Sequence, residues 1–183
     1  KEQALEIFGW IEKSQRYSFN KSHAISYAFN AYLTAYTKAH FPHEFFTSYL
    51  KNSIGKPDAY AEIEELVNNA KVMDIEVMPP NIKKMNKSFS LIGKSPTFGI
   101  TEIKGVGGSV YDKMIDCIKK NHISLEGCDW ETFLIGFGRC IKVDSFEALI
   151  LSGALDCFDL SRSKMCHELK MFRELSKREI PWI

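Results

Sequence analysis

Lys21, His23 and Tyr27 place a cation, an imidazole and an aromatic ring along the first turns of one predicted helix, within Tyr17-Ser18-Phe19-Asn20-Lys21-Ser22-His23-Ala24-Ile25-Ser26-Tyr27-Ala28. Such a set can grip a nucleoside triphosphate. Asn20 or Ser22 suits the N-cap, and the Ala, Ile, Tyr and Phe residues that follow have a helical pattern. Free backbone N–H groups and the positive end of the helix dipole then lie beside Lys21 and His23, so a phosphate would meet several favourable interactions together. His23 and Tyr27 are four apart and share a face that continues through Asn30, Thr34 and Lys38. On the opposite face, Ile25, Phe29, Tyr32, Leu33 and Tyr36 form the expected core side. Chemistry alone leaves a second reading open, an amphipathic helix whose His and Tyr only satisfy hydrogen bonds.

A second group of residues suits contact with nucleic acid. Ile103-Lys104-Gly105-Val106-Gly107-Gly108-Ser109-Val110 brackets an apolar residue with glycines, and resembles the hairpin of a helix-hairpin-helix motif. Glycine tolerates left-handed backbone angles and lets the chain be approached closely, so the following helix can aim its first N–H groups at a DNA phosphate. Lys104 adds a cation beside them. Val110, Met114, Ile115 and Ile118 are the expected buried face of that helix, with Lys113, Lys119 and Lys120 in solvent or near a nucleic-acid backbone. A purely structural turn is the other reading of these glycines. Contacts of this kind fall on phosphates, so binding would be sequence-independent and salt-sensitive.

Further along, Asp144-Ser145-Phe146-Glu147 fits a capping box, and Ser152-Gly153-Ala154-Leu155-Asp156 occupies the place of a second hairpin. Ala154 replaces the branched apolar residue, and Asp156 would repel a phosphate. The second unit therefore reads as a packing partner of the first. Arg162 and Lys164, at the start of the last helix, are phosphate contacts or an ordinary solvated face.

The elements that position these residues are mostly helical. Residues 1–15 put Ala4, Leu5, Phe8 and Ile11 on one face. The helix from about Ser22 to Lys38 is followed by Phe41-Pro42 and a helix over 43–52. His40-Phe41-Pro42-His43 reads as a turn between helices, because proline interrupts the helix and no carboxylate or thiol has matching metal-ligand spacing. Lys56-Pro57-Asp58 is a loop, and Ile63, Leu66, Val67 and Ala70 mark an amphipathic helix over 59–73. Pro79-Pro80 ends this section. Ser88–Ile92 and Thr97–Gly99, joined by Gly93-Lys94-Ser95-Pro96, form a predicted β-hairpin near 88–99. The fold class is mainly α, with residues 1–98 as one helical region carrying that hairpin and 99–183 as a helix-hairpin-helix region.

Composition narrows the functions. The 183 residues are 45% hydrophobic and 13% aromatic, which excludes a disordered chain. With 24 basic and 23 acidic side chains, the chain lacks the gross basicity of a free-standing tight DNA binder. The five cysteines contain no C-x-x-C pair, and their odd number and spacing suit reduced thiols of an intracellular protein. No apolar run reaches membrane-spanning length, so the expected location is cytoplasmic.

Taken in order, these residues carry a family resemblance. Phe19-Asn20-Lys21-Ser22-His23-Ala24 with Tyr27-Ala28, and Lys38-Ala39-His40-Phe41-Pro42-His43-Glu44-Phe45, resemble the fingers of the C-family replicative polymerases, the alpha subunits of bacterial DNA polymerase III. Pro79-Pro80-Asn81-Ile82, Phe98-Gly99-Ile100, Ile103-Lys104-Gly105-Val106-Gly107, Glu147-Ala148-Leu149-Ile150 and Ser152-Gly153-Ala154-Leu155-Asp156 resemble later landmarks in the same order. The resemblance implies that Lys21 and His23 touch the incoming dNTP and that Tyr27 stacks near the nascent base pair. Arg16 is a weaker candidate. It also implies DNA-backbone contacts from Lys104, Gly105, Val106, Gly107, Gly108, Lys113, Arg162 and Lys164.

The palm that holds two Mg2+ ions in that family has no counterpart in this sequence, so no residue of this chain is a catalytic or metal ligand candidate. The implied partners are primer-template DNA, the remaining palm and thumb, and a sliding clamp reached through a region outside this chain. The setting would be a bacterial or phage-infected cell. The chain is either a fragment of a longer polymerase or a subunit of a split one. The competing class is a non-enzymatic DNA-binding or interaction module built on the same scaffold.

Overall fold

The computed structural model describes residues 1–17 and 20–175, with the side chains of Arg16 and Tyr17 outside the description. Its contacts divide the chain into two units, Lys1–Pro42 and His43–Ile183.

The first unit holds helices α1, Glu2–Tyr17, and α2, Lys21–His40. Asn20 is the N-cap of α2, its side chain accepting from the N–H groups of Ser22 at 3.0 Å and His23 at 3.4 Å. Of the two residues the sequence offers for this role, Ser22 lies inside the helix, where its carbonyl accepts from the Ser26 hydroxyl. The helix closes with the Phe41 N–H donating to the Thr37 carbonyl, and Pro42 begins the next helix at a position where no N–H is needed.

One expectation fails in this unit. Ile25, Phe29, Tyr32, Leu33 and Tyr36 do not form a core side: all are exposed, and no residue of α2 is buried. Leu5, Phe8 and Ile11 of α1 are exposed as well. An apolar helix stripe is buried only against a facing layer, and the described residues of this unit provide none that covers it.

The second unit, from His43, holds α3, Pro42–Ser53, apart from its first residue, and then α4, Ala59–Val72. Phe46 and Leu50 of α3 meet Leu66 and Ala70 of α4 in one apolar cluster, closed by Ile75 and Phe89, with Ile63, Val67 and Phe98 at its edge. This matches the periodicity of 59–73. Strands β1, Ser90–Ile92, and β2, Ser95–Thr97, pair antiparallel with Leu91 opposite Pro96. The hairpin is tighter than predicted: Gly93 and Lys94 alone make the turn, Gly93 at φ 64°, and Ser95 and Pro96 belong to the strand. Met78 extends the pairing, donating to the Pro96 carbonyl at 2.8 Å and accepting from the Phe98 N–H at 3.0 Å.

The larger cluster lies in α5, Gly108–Asn121, α6, Trp130–Phe137, α7, Val143–Leu151, and α8, Arg162–Glu174. Trp130, Phe133, Phe146 and Phe158 form its aromatic centre, with ring centroids 5.2–6.4 Å apart. Ile82 is fully buried in it, and the Ile82 N–H donates to the Ala154 carbonyl at 2.9 Å. Tyr111 reaches back to the same segment, its hydroxyl donating to the Met85 carbonyl at 2.6 Å.

The cysteines also depart from expectation. Cys117 on α5 and Cys140 ahead of α7 are joined by a disulfide, while Cys128, Cys157 and Cys166 are free. Residues far apart in sequence are brought within bonding distance by the packing of α5 on the α6–α7 connection, which spacing alone cannot reveal.

Candidate nucleic-acid interface

The glycine-rich segment folds into a hairpin held from behind. The element before it is a single 3-10 turn, Ile100–Glu102, and not a full helix. Extended Ile103, at φ −74° and ψ 123°, ends it before a second turn can form. Gly105 has φ +92°, a left-handed conformation that L-residues rarely adopt. This turn buries Val106 completely while Lys104, Gly105, Gly107 and Ser109 stay exposed. The Val106 N–H donates to the Ile103 carbonyl at 2.9 Å, closing the turn.

Helix α7 backs the hairpin, and its Ser145 is bonded to it. The Ser145 hydroxyl donates to the Gly105 carbonyl at 2.9 Å, and the Ala148 methyl lies 3.7 Å from the place a Gly105 Cβ would take. The sequence reading of Asp144-Ser145-Phe146-Glu147 as a capping box is therefore corrected. Lys142 is the N-cap of α7, there is no side-chain cap bond, and Ser145 is turned inward to the hairpin. Its signal was present: it stands four residues before buried Leu149, where an apolar residue would be expected, so a polar one there must find a buried partner.

Gly107 caps α5 with no side-chain hydrogen bond. The Gly107 carbonyl accepts from Val110 and Tyr111 at 3.0 and 3.1 Å, and among the described residues the N–H groups of Gly107, Gly108 and Ser109 have no acceptor. A Cβ added at Gly107 or Gly108 would meet nothing within 4 Å. Internal packing therefore requires neither glycine. What they leave is a bare helix start that an outside group can approach. Along α5, Met114 is fully buried, Val110, Ile115 and Ile118 are half-buried, and Lys113, Lys119 and Lys120 are exposed. Lys87 lies near the same helix, 3.3 Å from the Asp112 carboxylate and over the Tyr111 ring.

The second hairpin has the same turn but a different outer surface. Gly153 has φ +86°, and Ala154 and Leu155 are buried. The Asp156 carboxylate is gripped by Arg162, Nε to Oδ1 at 2.9 Å and Nη2 to Oδ2 at 2.6 Å, and Arg162 Nη1 donates to the Leu151 carbonyl at 3.0 Å. These bonds hold the Asp156 carboxyl below its ordinary pKa. Arg162 is thus bound to the second hairpin, and Lys164 is 3.7 Å from Glu168. Sequence reasoning identified both partners but not the pair.

In the first unit, the His23 and Tyr27 rings lie 4.3 Å apart, as four-residue spacing predicts, and Tyr27 is exposed. The Asn20 cap changes one expectation: the Ser22 and His23 N–H groups are already satisfied, so they are not free for an anion. The candidate Arg16 side chain, with Tyr17, Ser18 and Phe19 of the same motif, lies outside the described part. Among the described residues, no three His, Cys, Asp or Glu side chains converge to hold a metal ion. No helix among them is long and apolar enough to cross a membrane.

Comparison with known proteins agrees with this geometry. The helix-hairpin-helix motif family matches residues 74–165. The DNA polymerase III subunit alpha of Buchnera aphidicola from Schizaphis graminum is 33% identical over 168 residues, covering 87% of this chain and 13% of the relative. That of Aquifex aeolicus is 34% identical over 170 residues, with 90% and 14% covered. That of Borreliella burgdorferi is 32% identical over 170 residues, with 92% and 14% covered. The chain thus spans about one seventh of the length of the curated relatives it matches.

Proposed function

This chain belongs to the helix-hairpin-helix family, in the setting of the alpha subunits of bacterial DNA polymerase III, and from that premise we propose that it is a duplex-binding region of a replicative DNA polymerase. In this reading residues 99–183 contact the DNA backbone. Residues 1–98 supply a fingers-like wall facing the incoming dNTP. The rest of the polymerase brings the palm with its two Mg2+ ions, the thumb and any sliding-clamp contact, in the cytoplasm.

The observation that carries the DNA reading is the start of α5. Among the described residues, three successive backbone N–H groups without an internal acceptor, those of Gly107, Gly108 and Ser109, stand at the positive end of a helix, and internal packing needs neither glycine. A phosphate oxygen can approach such a start more closely than any side chain would permit. Lys104 and Lys113 add exposed positive charge on the same hairpin and helix. Arg162 contributes less in this reading, because Asp156 already holds it. All these groups recognise phosphate, so the contact positions the protein without reading bases.

The test is a salt titration of duplex binding, followed by fluorescence anisotropy. Affinity should be independent of sequence, and log K should fall linearly with log salt. Lys104→Ala should reduce the slope by about one. Gly107→Val should weaken binding without unfolding the chain. No binding at low salt, or affinity and slope unaffected by both changes, would remove the proposal.

A further inference from the structure

We propose that Cys117 and Cys140 form a reversible redox pair whose closure locks the Gly105–Gly108 hairpin. Cys117 lies on α5, the helix that starts at the hairpin, and Cys140 lies just ahead of α7, the helix whose Ser145 is bonded to Gly105. The disulfide therefore joins α5 to the connection that leads into α7, next to the two helices that meet at the hairpin. The two cysteines are 23 positions apart, and the segment between them includes α6, which carries Trp130, Phe133 and Phe137 into the main core. Closing that loop restricts the unfolded and locally opened chain more than the native one.

Cys117 and Cys140 are half-buried residues and not sealed in the core. The three free cysteines are poorer candidates. Burial is the leading cause that raises the thiol pKa of Cys128, Cys157 and Cys166, which leaves less reactive thiolate at each. In a reducing compartment a disulfide that forms at all is more often a transient, responsive bond than a permanent staple.

The chemistry balances with a disulfide oxidant such as glutathione disulfide. One thiolate of the pair attacks a glutathione sulfur, the glutathione S–S bond breaks, and one glutathione thiolate leaves. The second protein thiolate attacks the sulfur of that mixed disulfide and expels the other glutathione. Two electrons pass to the oxidant and the two thiol protons go to the released glutathione thiolates. Excess reduced glutathione runs the exchange backwards.

The test equilibrates the chain with oxidised or reduced glutathione and follows intact mass, cross-linked peptides and amide hydrogen exchange. Oxidation should remove two hydrogens from the mass and join the peptides containing Cys117 and Cys140. Exchange at the Val106 and Tyr111 amides should slow on the order of tenfold. The slowing should vanish in Cys117→Ala and persist in Cys166→Ser. Stable glutathione adducts without a cross-link, a cross-link through another cysteine, or equal exchange in the two states would each overturn the proposal. None of these readouts involves DNA, so they stand or fall separately from the nucleic-acid reading.

Discussion

The Ser145 hydroxyl donates to the Gly105 carbonyl at 2.9 Å, across a sequence separation of 40 residues. This bond ties the outermost turn of the candidate interface to the middle of the main core, because Ser145 shares its helix face with fully buried Leu149. The hairpin is thereby held by a rigid element instead of by its own local bonds alone, which is what a preformed phosphate site requires.

Removing that hydroxyl should loosen the hairpin. Ser145 is 6% exposed, whereas Gly105 is open enough for water to replace part of the lost bond. Ser145→Ala should therefore cost about 1 kcal/mol, near the typical net value of one hydrogen bond. Urea unfolding should show a lower midpoint with an unchanged slope. An unshifted midpoint would mean that Gly105 is held by packing alone.

Neighbouring glycines should respond in opposite ways. At Gly105 a methyl would make only ordinary contact with Ala148, but φ is +92°, so Gly105→Ala should destabilise by about 1–2 kcal/mol through the backbone. Gly107 has φ −80° and open space around it, so Gly107→Ala should change stability by less than about 0.5 kcal/mol. Duplex affinity, by contrast, should fall for Gly107→Ala because the added methyl stands where a phosphate would come. Paired unfolding and binding curves for the two variants would separate the glycine that shapes the turn from the one that leaves it bare.

These contrasts mark what could be read from the sequence. The Gly-Val-Gly pattern located the hairpin, and helical spacing found the buried faces of α4 and α5, because both signals are local. Long-range links were not legible. Asp144 and Glu147 resemble a capping box because such boxes are written in adjacent residues, whereas the actual partner of Ser145 between them lies in another element. Asp156 reads from the sequence as an unpaired charge, but the Arg162 that pairs with it comes from the next helix. The apolar stripe of α2 reads as a core face because periodicity reports which residues want burial, not whether a facing layer covers them.

Glu102 should make stability depend on pH in the less common direction. Burial raises its carboxyl pKa, one oxygen lacks a hydrogen-bond partner among the described residues, and the Phe89 backbone bond only partly offsets this. The folded state then holds its proton more tightly than the unfolded state. This group favours folding at low pH and costs stability as pH rises from the unfolded value of about 4.3 through the raised folded value. The side chain keeps enough solvent access for the cost to stay below about 1 kcal/mol. Glu102→Gln should raise the urea midpoint at neutral pH and flatten this part of the pH profile. A midpoint that fell at neutral pH would show that the carboxylate makes a favourable contact.

In the proposed polymerase reading, the α2 start should matter to nucleotide use more than to DNA binding, measured in a palm-bearing polymerase assembled with this chain. The Asn20 cap already satisfies the Ser22 and His23 N–H groups, so a triphosphate there would depend on the Lys21 and His23 side chains instead of the bare helix end. Tyr27, exposed and against the His23 ring, offers a face on which a base can stack. Lys21→Ala and His23→Ala should each lower single-turnover incorporation on the order of tenfold or more, the loss expected when charge stabilisation of a transferring phosphoryl group is removed. Tyr27→Phe should retain activity and Tyr27→Ala should lose it, because the ring and not the hydroxyl does the stacking. Primer-template affinity should hold in all four variants. Incorporation unchanged in both Lys21→Ala and His23→Ala would show that this helix start faces something other than the nucleotide.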